Sequence, residues 1–369
     1  MSNAVHLKPE RNSAVELLRI AAMLSIVMSH CSVHGGFPAV PSKIPFNNYF
    51  LDWISLGNLG VDIFLMISGY FLSTKEFKIQ SIIKLLAQVL FFSYFCLAVS
   101  WLAGNTVTKK ALLRAVFPTI NSEYWFFSAY VVLLLLSPYV NIFIRNASKR
   151  QLLSCISIML VLWCILPTLT EISMYGTELP QFVMLYLLGA YLRKYPDSIL
   201  RTPKFRRWLI VCSAVLLFAS SPVLRYLNNH VFTSYIFERK YYGRTSFLII
   251  GMAIGMFSTA VYHKPWSNKI VNAIGSCTFG VYLFHDNPLI KTTLWKVWVN
   301  NNAFYDSHIF ILRILFSIAA VYAVCTIIEF LRQKLLARPM EYLLEKIVGT
   351  CSRHLKRGFI AQQTIHKHE

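Results

Sequence analysis

Apolar residues dominate the chain in long runs separated by short polar segments. Ten runs approach the roughly 20 residues that a helix needs to cross a bilayer core. They cover 14–34, 50–72, 82–103, 124–144, 152–169, 179–193, 208–225, 245–262, 270–290 and 309–331. The sixth is short, which suggests a tilted or partly re-entrant helix. No segment of a few tens of residues repeats, so a solenoid is not expected. No linker-like break divides the chain either. The pattern predicts one all-α, polytopic transmembrane helix bundle of about ten spans. A cytoplasmic segment, 1–13, precedes the membrane domain at 14–331, and a basic tail follows at 332–369. The tail is partly amphipathic and reads as solvated or lying on the membrane surface. The first run has no small-residue cleavage site and is expected to stay in place as a helix.

Composition agrees with this reading. Of 369 residues, 56% are hydrophobic and only 14% charged, against about a quarter charged in soluble domains. The formal net charge is +20. In a soluble chain such an excess points to nucleic acid, but here the basic residues sit in short loops between apolar runs. No continuous basic surface with interleaved aromatic residues is visible, so no nucleic-acid partner is expected. With the N-terminus placed in the cytoplasm, 24 Lys and Arg residues fall inside and 10 outside, with Arg19 and Arg313 within spans. The positive-inside rule therefore places both termini in the cytoplasm and requires an even number of spans. The eight cysteines are scattered, most of them within apolar runs, and form no C-x-x-C pair. They read as small buried apolar residues and not as a disulfide framework or zinc site.

Two residues stand out in the first run, "LLRIAAMLSIVMSH". Arg19 and His30 are eleven residues apart, about three helical turns, so they share one face about 16 Å apart along the axis. The bland reading has Arg19 reaching the headgroups or pairing with Glu16, and His30 capping a helix end. The functional reading has both facing one cavity, since ionisable groups at membrane depth mark functional sites. His34 lies four residues from His30, a metal-ligand spacing. No acidic partner is near in sequence, so no metal is expected.

The second run, "LGNLGVDIFLMISGYFLSTKEFK", carries Asp62 in its middle. A buried carboxylate needs a partner or a proton. Gly57, Gly60 and Gly69 allow a neighbouring helix to approach closely enough to supply one. Four stretches together resemble the acyltransferase 3 family of bacterial integral-membrane O-acyltransferases. They are "RNSAVELLRIAAMLSIVMSH" with its Arg-x10-His element, "LGVDIFLMISGYFLS" ending in Ser-Gly-Tyr, "EYWFFSAYVVLLLLSPYVN" and "IGSCTFGVYLFHDNPLI". They span nearly the whole chain in the order of the family. The resemblance implies transfer of an acyl group, usually acetyl, from cytoplasmic acyl-CoA to a sugar hydroxyl. The acceptor would be an envelope glycan or lipid-linked saccharide, and the site the bacterial cytoplasmic membrane. No tightly bound cofactor is implied, acyl-CoA being the donor substrate. Where many members have Arg-x-x-Arg after Ser-Gly-Tyr, this chain has Lys75-Glu76-Phe77-Lys78. Lysine meets phosphate as a point charge without the bidentate fork of arginine.

Carried over to this sequence, the resemblance makes Arg19 and His30 the residues tied to activity. His30 is the expected general base, activating the acceptor or carrying the acyl group itself. Asp62 or Glu123 is expected to orient it. Arg19 is expected to meet the pantetheine-phosphate region of the donor or its thioester oxygen, and Lys75 and Lys78 its phosphates. Trp125 reads as an interfacial aromatic, a tunnel wall or a sugar platform, and with Glu123 and Tyr70 it completes the expected substrate contacts. His285-Asp286 reads as a supporting group or a helix cap. A proton-coupled transporter of a glycolipid or saccharide would also use Arg, His and Asp in the membrane. No inverted repeat favours it. A non-catalytic membrane subunit is a third reading.

Overall fold

The computed structural model describes residues 11–116, 124–170, 178–231, 236–343 and 346, and within them it is helical without strands. In chain order the helices are α1 Ser13–His34, α2 Pro45–Trp53, α3 Gly57–Leu72, α4 Ile79–Leu102, α5 Lys109–Val116 and α6 Trp125–Asn146. Then come α7 Lys149–Leu160, α8 Leu166–Leu169, α9 Glu178–Lys194, α10 Pro203–His230 and α11 Phe247–Val261. The last three are α12 Lys269–His285, α13 Lys291–Thr293 and α14 Phe310–Leu335. A π-helical turn at Val161–Ile165 joins α7 to α8.

Among the described residues, seven segments are long and apolar enough to cross a membrane: Ser13–His34, Pro45–Leu72, Ile79–Leu102, Trp125–Asn146, Lys149–Leu169, Pro203–His230 and Phe310–Leu335. The expected count of about ten is therefore met only in part. The runs at 179–193, 245–262 and 270–290 form shorter helices, of 17, 15 and 17 residues. They are also largely enclosed. Most of α9 is buried, including Phe182, Leu185, Tyr186 and Ala190. A helix wrapped by other helices meets little lipid and need not match the hydrocarbon thickness. The run at 50–72 is not one helix either. It breaks at Ile54–Leu56 between α2 and α3. The longer helices show apolar residues outward, such as Val215, Leu216, Leu312 and Phe316, as a lipid-facing surface requires.

Local signals set the helix ends. Asn12 caps α1 by accepting from the Ala14 N–H. Ser148 and Gln151 form a capping box on α7, a reciprocal pairing that satisfies two orphan donors. After His34, α1 stops at Gly35-Gly36. Gly36 has φ +71°, a conformation that residues with a Cβ rarely adopt.

The site is held by three close pairings. Helix α1 runs antiparallel to α3 and parallel to α12. Gly60 lies on the backbone of α1 at Ala22, and Gly275 of α12 on Glu16. Helix α3 in turn lies on α9, with Gly69 against the Tyr186 carbonyl and Gly189 against the Met66 carbonyl. At each of these contacts any side chain larger than hydrogen would overlap its neighbour. Without a hydrophobic drive between helices in lipid, such close van der Waals contact is what holds them together. The first residue of α1, Ser13, bonds to Trp266 and Asn272, and Gln333 near the end of α14 bonds to Ser276. The start of α1 and the end of α14 thus lie at the same end of the bundle.

Candidate active site

One face of α1 lines a cavity of about 400 Å³ with Arg19, Met23, Ile26, His30, Val33 and His34. Their spacing of three to four residues is that of a helical stripe, so the cavity follows most of the length of α1. Its opposite wall comes from α3, α6 and α12. Near Arg19 it carries the hydroxyls of Ser68, Tyr130 and Thr278, and near His34 it carries Asn58 and Trp125. Between these polar ends the lining is aromatic, with Phe64, Phe126, Phe279 and Tyr282.

At the His34 end, the last turn of α12 meets α1. His30 Nδ1 lies 2.9 Å from His285 Nε2. His285 is wholly buried, and its Nδ1 lies 2.6 Å from the Val281 carbonyl oxygen one turn earlier. A carbonyl only accepts, so His285 Nδ1 carries a hydrogen. With both rings neutral, His285 Nε2 is then an acceptor and His30 Nδ1 must donate to it. This leaves the lone pair of His30 on Nε2, which makes no hydrogen bond among the described residues. Asp286 follows at the C-cap of α12. Its Oδ1 is 3.7 Å from His30 Nδ1, 3.5 Å from His34 Nε2 and 3.8 Å from Lys291 Nζ. Positive charge forming on His30 would thus be met by a carboxylate and a second imidazole.

At the other end, Arg19 Nε is buried without a hydrogen-bond partner among the described residues and sits 3.8 Å from Glu16 Oε1. Glu16 Oε2 is also buried and unpartnered among the described residues. The guanidinium is therefore held in place by charge and leaves donor capacity beside the cavity. The family model for an acyltransferase domain matches residues 12–330, nearly the whole chain. The chain belongs to the acyltransferase 3 family. No curated protein and no solved structure gives a significant match.

The acyltransferase brings some of the sequence-predicted residues together and leaves others apart. Arg19, His30 and Trp125 share the cavity. Asp62 does not line it. Asp62 is fully buried, with Oδ1 accepting from Gln181 Nε2 at 3.4 Å and Oδ2 unpartnered among the described residues. The carboxylate beside His30 belongs to Asp286, on a helix more than 200 residues away in sequence. Asp62 belongs instead to a group behind Trp125. Gln181 also donates to the Arg244 carbonyl at 2.6 Å, and the Arg244 guanidinium lies 4.1 Å from the Trp125 ring centre and 2.9 Å from Glu178. Tyr70 faces away from the cavity, against Arg193 at 5.1 Å and Phe257. Lys75 and Lys78 are exposed on the turn after α3, at the Arg19 end of the bundle, and do not line the cavity. Glu123 lies outside the described residues.

Sequence reasoning missed Tyr130, Tyr282 and Arg244, and it left the role of His285-Asp286 open. The signal for the last pair was present, a titratable dipeptide closing an apolar run. His30, His34 and Asp286 place their ligand atoms within 4.8 Å of one another, the one such group among the described residues. These three could hold a metal ion, an option the sequence had dismissed for want of a nearby acid. Two features compete with that use. His30 Nδ1 is already bonded to His285, and the Lys291 ammonium shares Asp286.

Proposed function

We propose that this membrane acyltransferase moves an acyl group, acetyl in the simplest case, from cytoplasmic acyl-CoA to a hydroxyl of an envelope glycan or lipid-linked saccharide. Its place is the cytoplasmic membrane of a bacterial cell, and it acts without a tightly bound cofactor. The observation that carries this reading is the unengaged Nε2 of His30, on a cavity that also reaches Arg19. The acceptor hydroxyl gives its proton to His30 Nε2 while its oxygen attacks the thioester carbonyl carbon. The C–S bond then breaks, and the leaving sulfur takes the proton from His30. His285 and Asp286 keep His30 in the required tautomer and steady the imidazolium between the two steps.

Arg19 is the donor's anchor, meeting its phosphates or amide carbonyls by charge-assisted hydrogen bonds. Lys75 and Lys78, on the same end of the bundle, add positive charge for the phosphates. The path from Arg19 to His30 brings the thioester in from the cytoplasmic end. Trp125, with Arg244 stacked on it, suits a saccharide ring at the far end, since an aromatic face packs against the apolar face of a sugar.

The test is O-acetylation of surface glycan in cells carrying wild type, His30→Ala or Arg19→Ala, at equal protein abundance by blot. Both substitutions are expected to lower acetylation ~10²-fold or more. Persistent acetylation in both variants would sink the reading and move a transporter ahead of it.

A further inference from the structure

We propose that the Tyr282 hydroxyl supplies the hydrogen bond that receives negative charge on the acyl carbonyl oxygen during transfer, making Tyr282 a catalytic residue. The proposal rests on the acyl-transfer reading above.

Tyr282 lines the cavity and is only 4% exposed, yet its hydroxyl is buried without a partner among the described residues. Its ring is held by Tyr124, Phe126 and Phe279, with centroids 5.8, 5.9 and 6.2 Å away. Three other tyrosines of the bundle have partners for their hydroxyls. Tyr124 donates to the Leu283 carbonyl, Tyr130 pairs with Ser68, and Tyr186 donates to Asn141. A hydroxyl buried without a bond carries its full desolvation penalty, and phenylalanine would fill the same space without it. An orphan donor on the wall of a cavity is explained if its partner arrives with the substrate.

Position supports the assignment. Helix α12 runs parallel to α1, with Gly275 against Glu16 and His285 against His30. Tyr282 stands one turn before His285, its carbonyl accepting from the Asp286 N–H. It therefore lies on the Arg19 side of the imidazole pair. A thioester entering from Arg19 would place its carbonyl between Tyr282 and His30. When the acceptor oxygen bonds to the carbonyl carbon, the C=O electron pair moves onto oxygen, and the Tyr282 O–H bonds to that oxygen. As the C–S bond breaks, the pair returns and the carbonyl reforms. Tyr282 keeps its proton throughout. A donor aimed at an oxyanion acts in the transition state more than in the ground state.

The experiment uses membranes from cells expressing the full chain, with labelled acetyl-CoA as donor and endogenous envelope glycan as acceptor. Tyr282→Phe is compared with Tyr322→Phe, which removes another orphan buried hydroxyl, on α14 and away from the cavity. Tyr282→Phe is expected to lower kcat by about 10² to 10³, with little change in the KM for acetyl-CoA. Its thermal unfolding midpoint should be no lower than wild type, and Tyr322→Phe should keep wild-type kcat. A Tyr282→Phe protein with full kcat, or with raised KM alone, overturns the proposal while leaving acyl transfer intact. Equal losses in both variants also overturn it. If wild type transfers no label, the acyl-transfer reading fails, and this one with it.

Discussion

His285 has no exposed surface, and the Val281 carbonyl removes its choice of tautomer. Its influence on chemistry passes entirely through the 2.9 Å contact with His30. His285→Leu would take away the acceptor that holds the His30 hydrogen on Nδ1. Half-wrong tautomers and a mobile ring are the expected result. By comparison with the loss of an orienting partner in hydrolytic triads, transfer should fall by roughly 10² to 10⁴. His285→Gln can still offer a carbonyl oxygen to His30 Nδ1 and should recover part of that loss. Steady-state rates of both variants at matched abundance decide it, and equal activity in the two would remove His285 from a positioning role. At this scale much of the site was legible. Arg19 and His30 could be paired because both lie on one helix, where spacing alone determines the face. The partner of His30 could not be read, because His285 and Asp286 sit 255 residues or more away. Asp62 looked equally suited by sequence, and only the packing of α3 on α9 turned it toward Gln181 instead.

Helix pairs carry the next level of argument. Helices α3 and α9 touch through Gly69 and Gly189, each facing a backbone carbonyl of the other helix. A methyl group at either place has no room and no flexible neighbour to push aside. Gly69→Ala and Gly189→Ala should each destabilise the bundle by about 1–3 kcal/mol, the range for overpacking a tight core. Because both strain the same pair, the double variant should cost less than the sum of the two singles. Thermal unfolding in detergent measures this, and full additivity would mean that the two contacts are independent. Tilting α3 would also move Asn58, Phe64 and Ser68 on the cavity wall, so transfer should fall with stability. The glycines were visible in the sequence as permissive positions. Which helix each one meets was not, nor was the break between α2 and α3, because apolar composition alone does not mark where a buried helix stops.

For the whole molecule, the start of α1 and the end of α14 share one end of the bundle, with Arg19 near it and His34 near the other. If the excess of basic residues marks the cytoplasmic side, the donor enters at the Arg19 end. Lys43 and Lys75 are both exposed and sit at opposite ends. In intact cells, a membrane-impermeant maleimide should label Lys43→Cys and should reach Lys75→Cys only after permeabilisation. The described native cysteines are mostly buried, which keeps the background low. The reverse labelling pattern would place the Arg19 end outside and require the donor to arrive from that side.

The sequence by itself determined what repeats locally. Long apolar runs made the chain a helical membrane protein, a helical stripe joined Arg19 to His30, and four motifs in order matched an acyltransferase family that covers residues 12–330. Hydropathy and helical period depend on neighbours within a few turns, so they can be read without a fold. Only the tertiary structure decided which distant groups meet: His285 and Asp286 at His30, Arg244 on Trp125, Gln181 at Asp62, and Tyr282 on the cavity wall. In a bilayer the lipid is as apolar as the helix surfaces, so burying apolar area favours no particular neighbour. Lateral order therefore comes from close steric fit and a few buried polar contacts, and these join residues that no local pattern connects.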